Sequence, residues 1–176
     1  MYLISLYFDI ETENQIQSII RGVAEVTGNT HMTDGHIPPH ITVAMINSSD
    51  EDIVKDTFES CIKKLRGGDI QIAGVGLFKK SVVYLQPVLN RYLHDISVEV
   101  NKTFKGMHAD NNRYLPFKWM PHISVAKRLT AEQQIETVKY LQEVGYPSEA
   151  IISRIGLAKS NPYIDIHKRS LQIKVI

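Results

Sequence analysis

The string Pro39-His40-Ile41-Thr42-Val43-Ala44 recurs as Pro121-His122-Ile123-Ser124-Val125-Ala126, with one hydroxyl residue exchanged for another. In an extended strand residues i and i+2 share a face. His40 and Thr42 therefore point the same way, roughly 7 Å apart along the strand, and His122 and Ser124 repeat the arrangement. Two such strands side by side would bring two imidazoles and two hydroxyls into one cleft. An imidazole titrates near neutrality and serves as either acid or base. A hydroxyl can donate to a non-bridging phosphate oxygen and hold the phosphorus in line. The four side chains can thus supply an acid, a base and two anion-orienting donors without a metal. A third His-x-Thr string, His31-Met32-Thr33, runs into the turn signal Asp34-Gly35 and lacks a strand pattern, so it is set apart from the site.

Both copies are followed by the same kind of element. Ser48 and Glu51 precede Val54, Phe58, Ile62 and Leu65; Thr130 and Gln133 precede Ile135, Val138 and Leu141. Each pattern predicts a capping box and an amphipathic helix. Upstream, Leu3–Asp9 reads as a strand, and Thr12–Gln15 opens a helix with Ile16, Ile19, Ile20 and Val23 on one face. A polar segment over 28–39 feeds the first motif strand, and Gly67-Gly68-Asp69 is expected to end the helix after it. Strands over 70–77 and 81–86 follow, joined by a basic turn at Lys79-Lys80, then a helix over 89–104. A polar loop over 105–117 feeds the second motif strand, and Gly145-Tyr146-Pro147 stops the next helix. Strands over 150–157 and 170–176 close the chain, separated by a loop over 158–163. The two halves match element for element apart from the extra terminal strand. They predict one bilobal α+β domain over 1–176, built by duplication of approximate halves 1–79 and 80–176. In each half the first, motif and third strands would form an antiparallel-rich sheet with outer helices, and the two sheets would meet at a central cleft.

A chain of 176 residues, 43% hydrophobic and 22% charged, is long enough for a substantial core. A net charge of +1 argues against bulk, salt-driven binding of duplex DNA, though not against a local basic site for a nucleotide. The lone Cys61 cannot form an internal disulfide and is expected to pack inside a helix. With no redox or zinc motif, a reducing cytoplasm fits best. The apolar run over 1–8 is closed by Asp9 and Glu11 and has no basic leader, so no signal peptide is expected. No stretch reaches membrane-spanning length, and no membrane association is expected. Two histidines are too few for a typical catalytic zinc site, which uses about three protein ligands, so neither metal nor cofactor is expected. The expected partner is a nucleotide or short RNA, and the expected state a monomer.

Beyond the paired motifs, Lys127 and Arg128 could neutralise a phosphate, or simply end a strand in solvent. Tyr7, Phe78, Tyr84, Trp119 and Tyr163 could stack on a base, or pack as core. His36, His94, His108 and His167 carry no partner pattern and are read as surface or structural.

The matched strings His40-Ile41-Thr42-Val43 and His122-Ile123-Ser124-Val125 resemble the defining His-x-Thr/Ser-x motifs of the two-histidine phosphoesterase superfamily. That group includes 2′-5′ RNA ligases and 2′,3′-cyclic phosphodiesterases. The opening Leu6–Ile10, the central Gly74–Phe78 and the closing Leu157–Ser160 also resemble the family's strands. Where members often have an arginine five positions after the second histidine, this chain has Lys127. The resemblance implies a metal-independent phosphodiesterase for 2′,3′-cyclic phosphate or 2′-5′ bonds. Reversible 2′-5′ RNA ligation, or nucleotide binding without catalysis, are the alternatives. It further implies His122 as base and His40 as acid when water opens a cyclic phosphate.

Overall fold

The computed structural model describes residues 1–79, 81–109 and 113–173. Strand β1 (Tyr2–Phe8) leads to helix α1 (Ile10–Thr27) and a single-turn helix α2 (His31–Asp34). The first motif strand, β2 (His40–Ile46), is followed by α3 (Glu51–Ile62), β3 (Gly68–Phe78), β4 (Val82–Pro87) and α4 (Arg91–Thr103). The second motif lies at and within β5 (Ile123–Lys127), followed by α5 (Ala131–Val144), β6 (Glu149–Ser160) and β7 (Tyr163–Ser170).

The helices begin where side chains satisfy their free N–H groups. Thr130 and Gln133 form the reciprocal capping box of α5, and the Gln133 amide also donates to the Thr27 carbonyl at the end of α1. Two other starts, those of α1 and α3, differ from the sequence reading. Asp9 accepts the Thr12 N–H, so α1 begins near Asp9 rather than at Thr12. Asp50 accepts from Asp52 and Ile53, so the carboxylate, not Ser48, caps α3. Ser48 instead accepts the Asp50 N–H just outside the helix.

The sheet corrects the expected pairing more deeply. Its order is β2-β1-β6-β3-β4-β5, with β7 pairing the later part of β6 on the side away from β1, and every strand pair is antiparallel. The third strands of the two halves are exchanged: β6 pairs with β1, and β3 pairs with β4. The reason is strand length. At 11 and 12 residues, β3 and β6 pair with each other at their starts, from Gly68↔Ile152 to Gln71↔Glu149, and each then runs on into the opposite half. One continuous sheet results, not two separate ones. Gly67 and Gly68, expected to end α3, belong to this junction; α3 stops earlier, at Ile62.

The expected strand over 170–176 is also misplaced. Chain reversal at Asn161-Pro162 makes β6–β7 a hairpin, so most of the expected loop is strand. Asp165, His167, Lys168 and Arg169 make β7 polar, as suits an edge strand, and that composition hid it. Residues 174–176 of the expected strand, Lys80 of the basic turn and 110–112 of the polar loop lie outside the described residues. Within that loop, Met107 accepts from Asn47 and Ala109 donates to Met45, which docks it on the outer edge of β2.

One face of β1 buries Ile4, Leu6 and Phe8 beneath α1, whose Ile16, Ile20 and Val23 meet them in the core. Cys61 is buried in α3 as expected. The opposite face of β1 carries Ser5 and Tyr7. Ser5 lies opposite Thr42 on one side and Gly156 on the other. The second half reproduces the register, with Tyr84 between Ser124 and Gly76.

Candidate active site

Each motif histidine is held by the same device. The His40 Nδ1 lies 2.8 Å from the Pro38 carbonyl, and the His122 Nδ1 lies 2.9 Å from the Met120 carbonyl. In both, the bond spans a proline, Pro39 or Pro121, which fixes φ and keeps the preceding residue extended. A carbonyl only accepts, so Nδ1 carries the proton and Nε2 is left as the free lone pair of the neutral ring. Neither Nε2 has a hydrogen-bond partner among the described residues. The repeated prolines of the sequence string therefore serve the orientation of both imidazoles.

The electrostatics join the two motifs. Burial pushes the His40 pKa down to about 4, helped by the charges of Lys127 and His122 and opposed by the Pro38 carbonyl and Asp165. Burial also lowers the His122 pKa, again with Lys127 adding and the Met120 carbonyl opposing. Lys127 is itself pushed down by burial. Its ammonium thus acts on both imidazoles. Arg128 is exposed with a left-handed backbone, φ 57, and its charge acts on His31 instead.

A stability consequence follows from His40. Its folded pKa of about 4 lies below the 6.5 of the free side chain. Between those values the unfolded chain binds the proton and the folded chain does not, so stability is full above pH 6.5 and falls as pH falls. The loss reaches about 3 kcal/mol by pH 4. His40→Asn keeps a donor for the Pro38 carbonyl and removes the titration. Urea unfolding at pH 7 and pH 4.5 should show a shallower acid loss in His40→Asn than in the wild type. Equal losses would assign the acid sensitivity to other groups.

The hydroxyls lie in unlike settings. Thr42 Oγ1 is 3.3 Å from Ser5 Oγ, and both are buried. Ser124 faces Tyr84, whose hydroxyl donates to the Met120 sulfur. The Tyr84 ring stacks on Phe78 at 4.2 Å and 23°, and both rings present edges or faces to His122, at 5.7 Å and 4.8 Å. Gly76 makes this possible: a Cβ there would lie 2.2 Å from Tyr84 Cζ.

Of the expected stacking residues, Trp119 and Tyr84 are buried and Phe78 is half-buried. The Trp119 indole donates to the Thr42 carbonyl at 3.0 Å, tying the approach to the second motif onto the first. Tyr163 lies on the His40 side, bonded to Tyr7 and Asp165. A cleft of about 920 Å³ opens beside His122, and Lys79, Arg113, Lys118 and His108 line it with Phe78 and Trp119. No carboxylate is among its described lining residues. His108, expected as a surface or structural residue, is among them, and Arg113 and Lys118 carry no signal in the sequence because their place here depends on the docking of the loop on β2. Among the described residues, no group of three His, Cys, Asp or Glu side chains forms a metal site, and no helix is long and apolar enough to cross a membrane.

The arrangement has relatives. The fold matches a crystal structure of a phosphoesterase at 17% identity over 97% of both chains, with a TM-score of 0.63. It matches E. coli LigT complexed with 3′-AMP at 14% identity over 97% of both chains, TM-score 0.61. It also matches Usb1 of Kluyveromyces marxianus at 10% identity, over 98% of this chain and 97% of that one, TM-score 0.53. No curated protein sequence matches. The sequence profile of the 2′-5′ RNA ligase superfamily fits residues 9–162, a span running from the cap of α1, through both histidine motifs, to the β6–β7 turn. The expected α+β fold and the expected kinship thus meet in one conclusion: the chain belongs to the 2′-5′ RNA ligase superfamily, among the two-histidine phosphoesterases.

Proposed function

We propose that the protein is a metal-independent phosphodiesterase that opens 2′,3′-cyclic phosphates or 2′-5′ bonds of RNA by acid–base catalysis between His40 and His122. The observation that carries this reading is the matched anchoring of the two imidazoles, each with Nδ1 on a carbonyl and Nε2 free. Neighbours solved with 3′-AMP and with uridine monophosphate support a nucleotide ligand. Lys79, Arg113 and Lys118, among the described residues lining the cleft beside His122, support an RNA phosphate. The protein acts in this reading as a monomer in a reducing cytoplasm.

In the hydrolytic direction, the Nε2 of the neutral imidazole takes a proton from water as its oxygen attacks phosphorus. The bond from phosphorus to the ribose oxygen breaks, and the protonated imidazole gives that oxygen its proton. The family resemblance assigns His122 to the first role and His40 to the second. Thr42 and Ser124 donate to the non-bridging oxygens. Lys127 offsets the charge gathering there.

The depressed histidine pKa values fix the pH behaviour. One ring must be protonated and the other neutral, so kcat/KM, which reports the free enzyme, should peak on the acid side of pH 6.5. It should fall above that range as the pair loses its single proton, and fall towards pH 4 as the pair gains a second. Lys127→Met removes a charge that lowers both values, so its peak should move to higher pH while its height drops. A peak that stays in place would separate Lys127 from both histidines.

The direct test is an assay against 2′,3′-cyclic nucleotides and 2′-5′ and 3′-5′ dinucleotides, with and without chelator. Cleavage of the first two classes, unaffected by chelator, is expected. Chelator-sensitive cleavage, or turnover of none of them, would overturn the proposal; net joining of cyclic-phosphate ends would assign ligation.

A further inference from the structure

A line of hydroxyls runs from the first motif to the edge of the sheet. Thr42 Oγ1 lies 3.3 Å from Ser5 Oγ. Ser5 also lies beside the Tyr7 hydroxyl on the same face of β1, close enough to act on its titration. Tyr7 lies 2.8 Å from the Tyr163 hydroxyl, which donates to Asp165 Oδ1 at 2.8 Å. Lys168 holds the other Asp165 oxygen at 3.1 Å and sits 4.3 Å above the Tyr7 ring.

The far end sets the direction of the whole line. An ionised carboxylate only accepts, so Tyr163 donates to Asp165 and its oxygen accepts from Tyr7. Burial pushes Tyr7 up to about 12 and raises Tyr163 as well, so both stay protonated donors at neutral pH. The Tyr7 oxygen is then open to accept from Ser5, and the Ser5 oxygen accepts from Thr42. In that order the Thr42 proton points at Ser5. For Thr42 to donate to a phosphate, its oxygen must accept from Ser5 instead. A single rotation does this: the Ser5 proton turns from Tyr7 to Thr42, and the bonds from Tyr7 onward stay as they are. No proton is transferred and no covalent bond changes. The second motif has no counterpart, because the residue facing Ser124 is Tyr84, whose hydroxyl is spent on Met120.

We propose that Ser5 is a positioning residue of the reaction, whose hydroxyl swings from Tyr7 to Thr42 when a phosphate enters and so aims the Thr42 proton at it. This rests on the phosphodiesterase reading above. Hydrogen bonds between neutral groups are worth a few-fold each in equilibrium terms, and a donor that itself accepts is strengthened.

The test is a double-mutant cycle read two ways: turnover of a 2′,3′-cyclic nucleotide, and calorimetric binding of inorganic phosphate. Ser5→Ala should lower kcat and weaken phosphate about fivefold. In a Thr42→Val background, Ser5→Ala should cost nothing further; in a Ser124→Ala background, it should cost the full fivefold. Tyr7→Phe removes the competing acceptor for the Ser5 proton, so phosphate should bind more tightly, a sign that mere packing does not produce. An equal Ser5→Ala loss in both backgrounds overturns the proposal, as does no loss at all, or a Tyr7→Phe weakening equal to that of Ser5→Ala. Phosphate binding that shows the coupling in a protein without turnover would sink the phosphodiesterase reading and leave the Ser5–Thr42 arrangement standing. Turnover with an additive cycle would sink the Ser5 role alone, and a wild type that neither binds phosphate nor turns over would sink both.

Discussion

Alanine at His40 or at His122 should each lower turnover by on the order of 10²–10⁴, the range that positioned acid–base groups supply. The two losses should not multiply. One ring works neutral and the other protonated within a single step, so removing either one disables the pair. The double variant should fall close to the worse single, as groups that act as a unit do. The fold should survive, because both rings are only half-buried and neither belongs to the core cluster. Single-turnover rates on a 2′,3′-cyclic nucleotide, with thermal unfolding as a control, check all three statements. A single variant with wild-type turnover and an intact fold would refute the acid–base pair. A double variant that loses the product of the two factors would show that the histidines serve separate steps.

The hydroxyls should matter almost as much. Loss of one donor to a transition-state oxygen costs on the order of 10²–10³ in rate in a well-studied case. Thr42→Ala and Ser124→Ala should therefore each reduce kcat strongly while leaving residual turnover. They should also differ. Thr42 is tied to Ser5, so its removal deprives the Ser5 hydroxyl of that partner. Ser124 faces an aromatic ring, so its removal frees no hydroxyl partner. Both variants should show the loss in kcat more than in KM, because the bond to phosphate strengthens as charge builds on its oxygens. Unchanged kcat in both would assign the hydroxyls to strand packing.

What the sequence made legible was local. The β-branched runs around His40 and His122 form strands, and Thr130 with Gln133 caps α5, because those signals act within a few residues. The caps at Asp9 and Asp50 were missed because each competes with a hydroxyl nearby, and the ionised side chain, the stronger acceptor, wins. The partner of β1 was not legible at all. Residues 2–8 carry no mark that selects β6 over β3; the choice is made by the β3–β6 junction, where residues 68–71 meet 149–152. Strand β7 was hidden by its charge. Ser5 was hidden by being a single small polar residue in an apolar strand, and its meaning appears only when Thr42 lies across from it. Arg113 and Lys118 sit in a polar loop, where charge is ordinary until the loop is docked.

The exchanged third strands bear on how the chain is made. Strand β1 leaves the ribosome early, and β2 can pair with it soon afterwards. The other edge of β1 stays open until residues 149–160 have emerged, because only β6 covers it. Nearly the whole chain must therefore be synthesised before the first histidine motif has its finished sheet beneath it. Closing so distant a pairing is entropically slow, and in the interval an apolar strand edge stands unprotected. For this architecture, the vulnerable moment lies in biosynthesis, and slowing translation late in the message would lengthen it.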